Sequence, residues 1–185
     1  MRISLAARNT RIIVIDTDII QAAGNPGKEN PRSKACRKFL RSILKICHCT
    51  IVSAALWNEW KRHKSHYSHT WLTEMFGQKK VNRVELTEYK ELRRKLRKHC
   101  TDRFVMAIIE KDICLCELAF RSDKIIASMD DSVRNHLGNL AERIVELQQI
   151  VWVNPENQDE NVIAWLAEGA PAENERKLGQ YSKIA

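Results

Sequence analysis

The chain has 185 residues, 44% of them hydrophobic and 29% charged, enough for one substantial core in a single domain and too apolar for a disordered protein. No apolar run approaches the roughly 20 residues of a membrane helix. The run Ile12–Ile15, behind Arg2, Arg8 and Arg11, stops at Asp16, too soon for a signal peptide, so a cytoplasmic location is expected. The net charge of +8 is concentrated mid-chain, in Lys61, Arg62 and Lys64, then Lys79, Lys80 and Arg83, then Arg93, Arg94, Lys95, Arg97 and Lys98. Basic surface of this kind fits a polyanionic substrate; the plainer alternative is a set of solvated helix faces.

In chain order, Ile12–Ile15 is a β-branched run that reads as a strand buried on both faces and closed by Asp16. Gly24-Asn-Pro-Gly27 and Pro31 mark a loop. Ser33 is placed to cap a helix through residue 46, with the apolar stripe Cys36, Phe39, Leu40, Ile43 and Leu44. Residues 49–53 read as a second strand and 54–63 as a helix carrying Glu59. A short third strand is expected over 81–86. Thr87 then caps a basic helix over 87–99, with Glu88 and Glu91 near its start and Arg97 and Lys98 near its end.

Thr101-Asp102 precedes a long helical pattern over 104–120 that contains Asp112. Residues 124–128 read as a strand, 132–140 as a helix, and 150–153 as a last strand closed by Asn154-Pro155. Strands alternating with helices predict a parallel sheet with right-handed crossovers. The domain is expected over residues 1–155. Residues 156–185 form a C-terminal segment that starts acidic (Glu156, Asp159, Glu160), with a docked helix over 161–168 and a mobile last dozen residues.

Cys47-His48-Cys49 and Cys114-Leu-Cys116 lack the Cys-x₂₋₄-Cys spacing of zinc sites, and the second pair lies about 200° apart on a helix. Reduced, buried cysteines are the favoured reading, zinc the lesser one.

Four acids stand where apolar runs end or within helices: Asp16, Glu59, Asp112 and Asp130. Each has an ordinary use by itself. Asp16 can end a strand, Asp130 can cap a helix, Glu59 can sit on a helix surface, and Asp112 can pair with a base on an apolar helix. Strand ends of a parallel sheet share one crevice, however, and acids gathered there repel unless a divalent cation such as Mg²⁺ or Mn²⁺ neutralises them.

Four segments together resemble the PIN domain, which includes the VapC-type toxins and other metal-dependent nucleases. They are Ile-Val-Ile-Asp16-Thr-Asp18-Ile-Ile, Ser53-Ala-Ala-Leu-Trp-Asn-Glu59, Lys111-Asp112 with Leu115, Glu117 and Ala119, and Ile125-Ile-Ala-Ser128-Met-Asp130-Asp131. The resemblance covers roughly residues 11–153 and rests on the order and spacing of the four segments. It implies a three-layer α/β/α sandwich with a central parallel sheet, and Asp16, Glu59, Asp112 and Asp130 as the catalytic, metal-binding acids. Ser128 stands where the family often has threonine. The implied activity is Mg²⁺- or Mn²⁺-dependent cleavage of RNA, as by the toxin of a toxin–antitoxin pair, with an antitoxin partner and a homodimer as the family's assemblies.

The chain departs from the family pattern at Asp18, where asparagine is usual. Asp130-Asp131 offers two candidates for the fourth acid, and Glu117 faces either the site or a salt bridge. Candidate RNA contacts are Lys61, Arg62, Lys64, Arg93, Arg94, Arg97 and Ser128. His63, His66 and His69 extend the basic surface, with Tyr67 and Trp71 as stacking platforms or Trp71 as core. The rival function is a PIN-like binding scaffold without catalysis. A phosphoacceptor receiver domain ranks last, because its acceptor follows a later strand.

Overall fold

Five short strands build the sheet, all but the polar edge strand β3 rich in β-branched residues: β1 Ile12–Ile15, β2 Cys49–Val52, β3 Val81–Arg83, β4 Ile125–Ala127 and β5 Val151–Val153. The computed structural model describes residues 10–27 and 30–181; Arg2, Arg8 and the end of the expected tail, 182–185, lie outside them. The strand order is β3-β2-β1-β4-β5 and every pairing is parallel. Ile13 lies beside Ile125 and Ile15 beside Ala127. Burial of β1, β4 and β5 on both faces explains why these runs carry no polar alternation.

The chain leaves β1 in one direction as far as β3, then returns to build β4 and β5 on the other side. Right-handed crossovers therefore place the two groups of helices on opposite faces. The first group is α1 Thr17–Ala22, α2 Pro31–Ile46, α3 Ala54–His63 and α4 His66–Gly77, with α1 packed on α2 and α3, and α2 on α4. The second is α5 Lys90–His99, α6 Arg103–Phe120 and α7 Asp131–Ala141, with α6 packed on α7, β1 and β4. The result is the three-layer α/β/α sandwich. No helix among the described residues is long and apolar enough to cross a membrane.

Several boundaries differ from the sequence reading for local reasons. Asn30, not Ser33, caps α2: its side chain accepts from the N–H of Arg32 and Ser33, and Pro31 occupies the first turn, where its missing N–H is harmless. His66 and His69, read as part of the basic surface, lie on a helix the sequence reading did not place, α4. Ser65 and Ser68 cap it reciprocally, and Trp71, Leu72 and Met75 are buried. The third strand stops at Arg83. Thr87 caps nothing, because α5 begins at Lys90, and the preceding N–H, that of Tyr89, donates to Glu117.

The C-terminal segment is packed further than its composition suggests. Helix α8 Val162–Ala167 lies on α2. Buried His48 ties it to β1: Nδ1 accepts from the Arg11 N–H at 3.0 Å, and Nε2 bonds the Leu166 carbonyl at 3.1 Å. Burial depresses the His48 pKa, consistent with a neutral ring in that arrangement. Beyond α8, the expected mobile stretch instead forms α9 Leu178–Tyr181 against α7. Leu178 is buried, and an antiparallel bridge from Lys177 to Val151 covers the free edge of β5.

Candidate metal centre

Strands β1 and β4 are neighbours from which the chain departs in opposite directions, so their carboxyl ends open a crevice at the sheet's switch point. Asp16 follows β1 directly. Its N–H continues the ladder to the Ala127 carbonyl at 2.9 Å, holding it against β4. Its Oδ1 caps α1 by accepting from Thr17 N–H at 2.6 Å, and its Oδ2 accepts from the Ser128 hydroxyl at 2.8 Å.

Ser128 is fully buried and links three acids. Its hydroxyl donates to Asp16, lies 3.4 Å from Asp18 Oδ2, and accepts from the Asp130 N–H at 3.1 Å. Asp18 Oδ2 also accepts from Met129 N–H at 2.8 Å, while Asp18 Oδ1 is buried without a hydrogen-bond partner. Asp130 caps α7 through the Val133 N–H at 2.9 Å. From α3, Glu59 is brought in by packing of α3 on α1, and its Oε2 accepts from the Thr17 hydroxyl at 3.2 Å. Asp112 is half-buried on α6, the helix that covers β1 and β4.

The acids sense one another. Burial raises the Asp16 pKa most; the charges of Glu59 and Asp130 raise it further, and the bonds from Ser128 and Thr17 oppose the rise. Asp112 is pushed up to about 6 by burial, then by the charges of Asp16, Asp130 and Glu59. Asp18 is pushed up to about 7 by burial and then by Asp16. Residues from β1, α3, α6 and the β4–α7 turn therefore form one electrostatic cluster.

Two observations bear on whether a cation fits. The raised acids and the orphaned oxygen of Asp18 are what a divalent, oxygen-seeking ion would relieve. Yet among the described residues no three His, Cys, Asp or Glu side chains stand close enough to hold one ion as they are. Asp16, Glu59 and Asp130 each turn an oxygen to a protein donor instead. The all-carboxylate donor set is of the kind that suits Mg²⁺ or Mn²⁺, and closing it on an ion requires these side chains to leave their present partners.

Of the paired aspartates, Asp130 is the one joined to Ser128. Asp131 Oδ2 accepts from Asn154 Nδ2 at 2.9 Å, and its Oδ1 lies 3.7 Å from Arg134. Glu117 lies in a salt bridge: it accepts twice from Arg93, at 2.8 and 3.0 Å, and once from Tyr89 N–H. Asp18 and Thr17 are the neighbours of the site that the four-acid pattern underweights. Their signal was the Asp16-Thr-Asp18 spacing at a helix start.

Much of the mid-chain positive charge is structural. Arg93 is committed to Glu117 and Glu88, Lys95 to Glu146, and buried Lys80 donates to the Leu44 carbonyl at the end of α2. Arg83 stacks on Trp57 and Phe76, its guanidinium carbon 4.5 and 4.9 Å from the ring centres. Arg94 pairs with Glu91 and Arg97 with Glu110 at the surface. Lys61, Arg62 and Lys64, at the end of α3 beyond Glu59, are exposed. The Ser128 hydroxyl is occupied by the acids, which places it among them and not on a substrate-facing surface. Trp71 is core, its N–H donating to the Leu40 carbonyl at 2.7 Å, and Tyr67 is half-buried. All six cysteines are free thiols, and none joins a metal-holding cluster among the described residues. The PIN resemblance stands on these residues alone: no family model, curated protein or solved structure matches the chain.

Proposed function

We propose that the protein is a PIN-type, Mg²⁺- or Mn²⁺-dependent endoribonuclease. The observation that carries this reading is the gathering of Asp16, Asp18, Glu59, Asp112 and Asp130 at the switch point, with the pKa values of Asp16, Asp18 and Asp112 raised and one Asp18 oxygen buried unpaired. Asp16 and Asp130 are assigned as direct ligands, with Glu59, Asp112 and Asp18 completing the shell. A bound ion would neutralise these acids, orient the scissile phosphate and lower the pKa of the attacking water. Ser128 fixes Asp16 against Asp130, and the Thr17 hydroxyl orients Glu59. Lys61, Arg62 and Lys64 attract the phosphate backbone.

The test is cleavage of single-stranded RNA in Mn²⁺ by the wild type and by Asp16→Asn. Cleavage by the wild type alone, abolished by EDTA, is expected; cleavage that survives both EDTA and the substitution overturns the proposal. The family resemblance extends the proposal to a toxin with an antitoxin partner. Growth arrest on expression of the wild type, absent with Asp16→Asn, is the expected sign. A second reading, a non-catalytic scaffold for nucleic acid or protein, is favoured by the failure of any three acids to close on one point. It predicts RNA binding that is indifferent to Mn²⁺.

A further inference from the structure

The C-terminal segment reaches the start of α7, beside the candidate metal centre, through a network of polar side chains in which Arg134, Asn154 and Glu160 are largely buried. Glu160 ends the short 3₁₀ turn Gln158–Glu160, and its side chain is 12% exposed. Its Oε1 accepts from Arg134 Nη1 at 2.5 Å, and its Oε2 accepts from the Asn154 N–H at 3.0 Å. Arg134 is 3% exposed, lies in the first turns of α7, and also donates to the Trp152 carbonyl at 2.9 Å. Asn154 in turn donates to Asp131 Oδ2, whose other oxygen lies 3.7 Å from Arg134. From outside, Arg176 donates to the Glu160 carbonyl at 2.6 Å.

Glu160, Arg134, Asp131 and Asn154 thus enclose the start of α7, the turn on which Asp130 is the cap. A buried carboxylate–guanidinium pair is weak evidence for stability, because both ions lose their water and a packed apolar pair often does as well. What it does provide is a fixed geometry. Metal ligands need their supports held to within about half an ångström, and outer partners of ligands shape metal affinity.

We propose that Glu160 is a positioning residue for the metal centre. Through Arg134 and Asn154 it sets where the first turn of α7, and so Asp130, stands relative to Ser128 and Asp16. The inference rests on the metal-centre reading. It makes the Gln158–Glu160 turn part of the functional unit and not merely the start of a docked tail.

The experiment is Mn²⁺ titration of the purified full chain, reading free Mn²⁺ by electron paramagnetic resonance, beside melts of the metal-free protein. The variants are Glu160→Gln, Asn154→Ala and Leu178→Ala. Asn154→Ala keeps both hydrogen bonds of Glu160 and removes the relay from it to Asp131, so it tests that relay if Glu160→Gln does not fold. Leu178→Ala loosens α9 without touching the network. Both network variants are expected to weaken Mn²⁺ binding about tenfold, while Leu178→Ala lowers the melting temperature and keeps affinity within about twofold. Wild-type affinity in the network variants, or loss of affinity that merely follows melting temperature across all three, overturns the proposal. If the wild type shows no Asp16-dependent Mn²⁺ binding, the metal-centre reading itself fails and this inference falls with it.

Discussion

Asp18 connects the electrostatics of the crevice to a measurable stability. Burial, and then the Asp16 charge, raise its carboxyl from 3.8 to about 7. Between those values the folded protein holds a proton that the unfolded chain has released, so the stabilising effect is complete below pH ~4 and is lost as pH rises through about 7. Asp112, held near 6, adds to the same fall. The metal-free protein should therefore melt at a lower temperature at pH 8 than at pH 5.5, and Asp18→Asn should raise the melting temperature at pH 8. Equal melting temperatures for Asp18→Asn and wild type at pH 8 would contradict this account of Asp18. Ser128→Ala tests the neighbouring contact. It deletes the donor to Asp16 and leaves the Asp130 N–H without its acceptor, for a loss of about 1–3 kcal/mol. Mn²⁺ affinity should drop about tenfold with it, and calorimetry beside Mn²⁺ titration checks both.

Element by element, α4 separates a packing role from a binding one. If Trp71 is core, Trp71→Ala costs about 3–5 kcal/mol and leaves RNA affinity intact at temperatures where the variant is folded. A stacking platform would give the opposite pattern. The strands were legible because parallel strands buried on both faces are unbroken β-branched runs, as in Ile12–Ile15 and Val151–Val153. Helix α6 was legible from the Asp102 cap and a long apolar pattern. Helix α4 was hidden by its histidines and serines, since its start is a Ser65–Ser68 capping box where position four is serine and not glutamate. Of the site, Asp16 and Asp130 could be placed from the ends of apolar runs. The choice between Asp130 and Asp131 could not, because it depends on Asn154 and Arg134, which only the fold brings near. The same holds for Glu117, whose partner Arg93 lies on another helix.

At the scale of the whole molecule, a net charge of +8 overstates the basic surface available to a polyanion, because several mid-chain cations are bound within the fold. Replacing Lys61, Arg62 and Lys64 with alanine should weaken RNA binding and flatten its salt dependence by about one unit of slope per lost phosphate contact. Arg93→Ala should chiefly destabilise the protein, since it strands buried Glu117. Filter binding at two salt concentrations, with melts alongside, distinguishes the two effects. The proposed metal centre is open to direct observation by anomalous scattering from a crystal soaked in Mn²⁺. A peak bounded by Asp16 and Asp130, absent from Asp16→Asn crystals, is expected; a soaked wild-type crystal with Mn²⁺ bound elsewhere and nothing between those two carboxylates would overturn the metal-centre proposal.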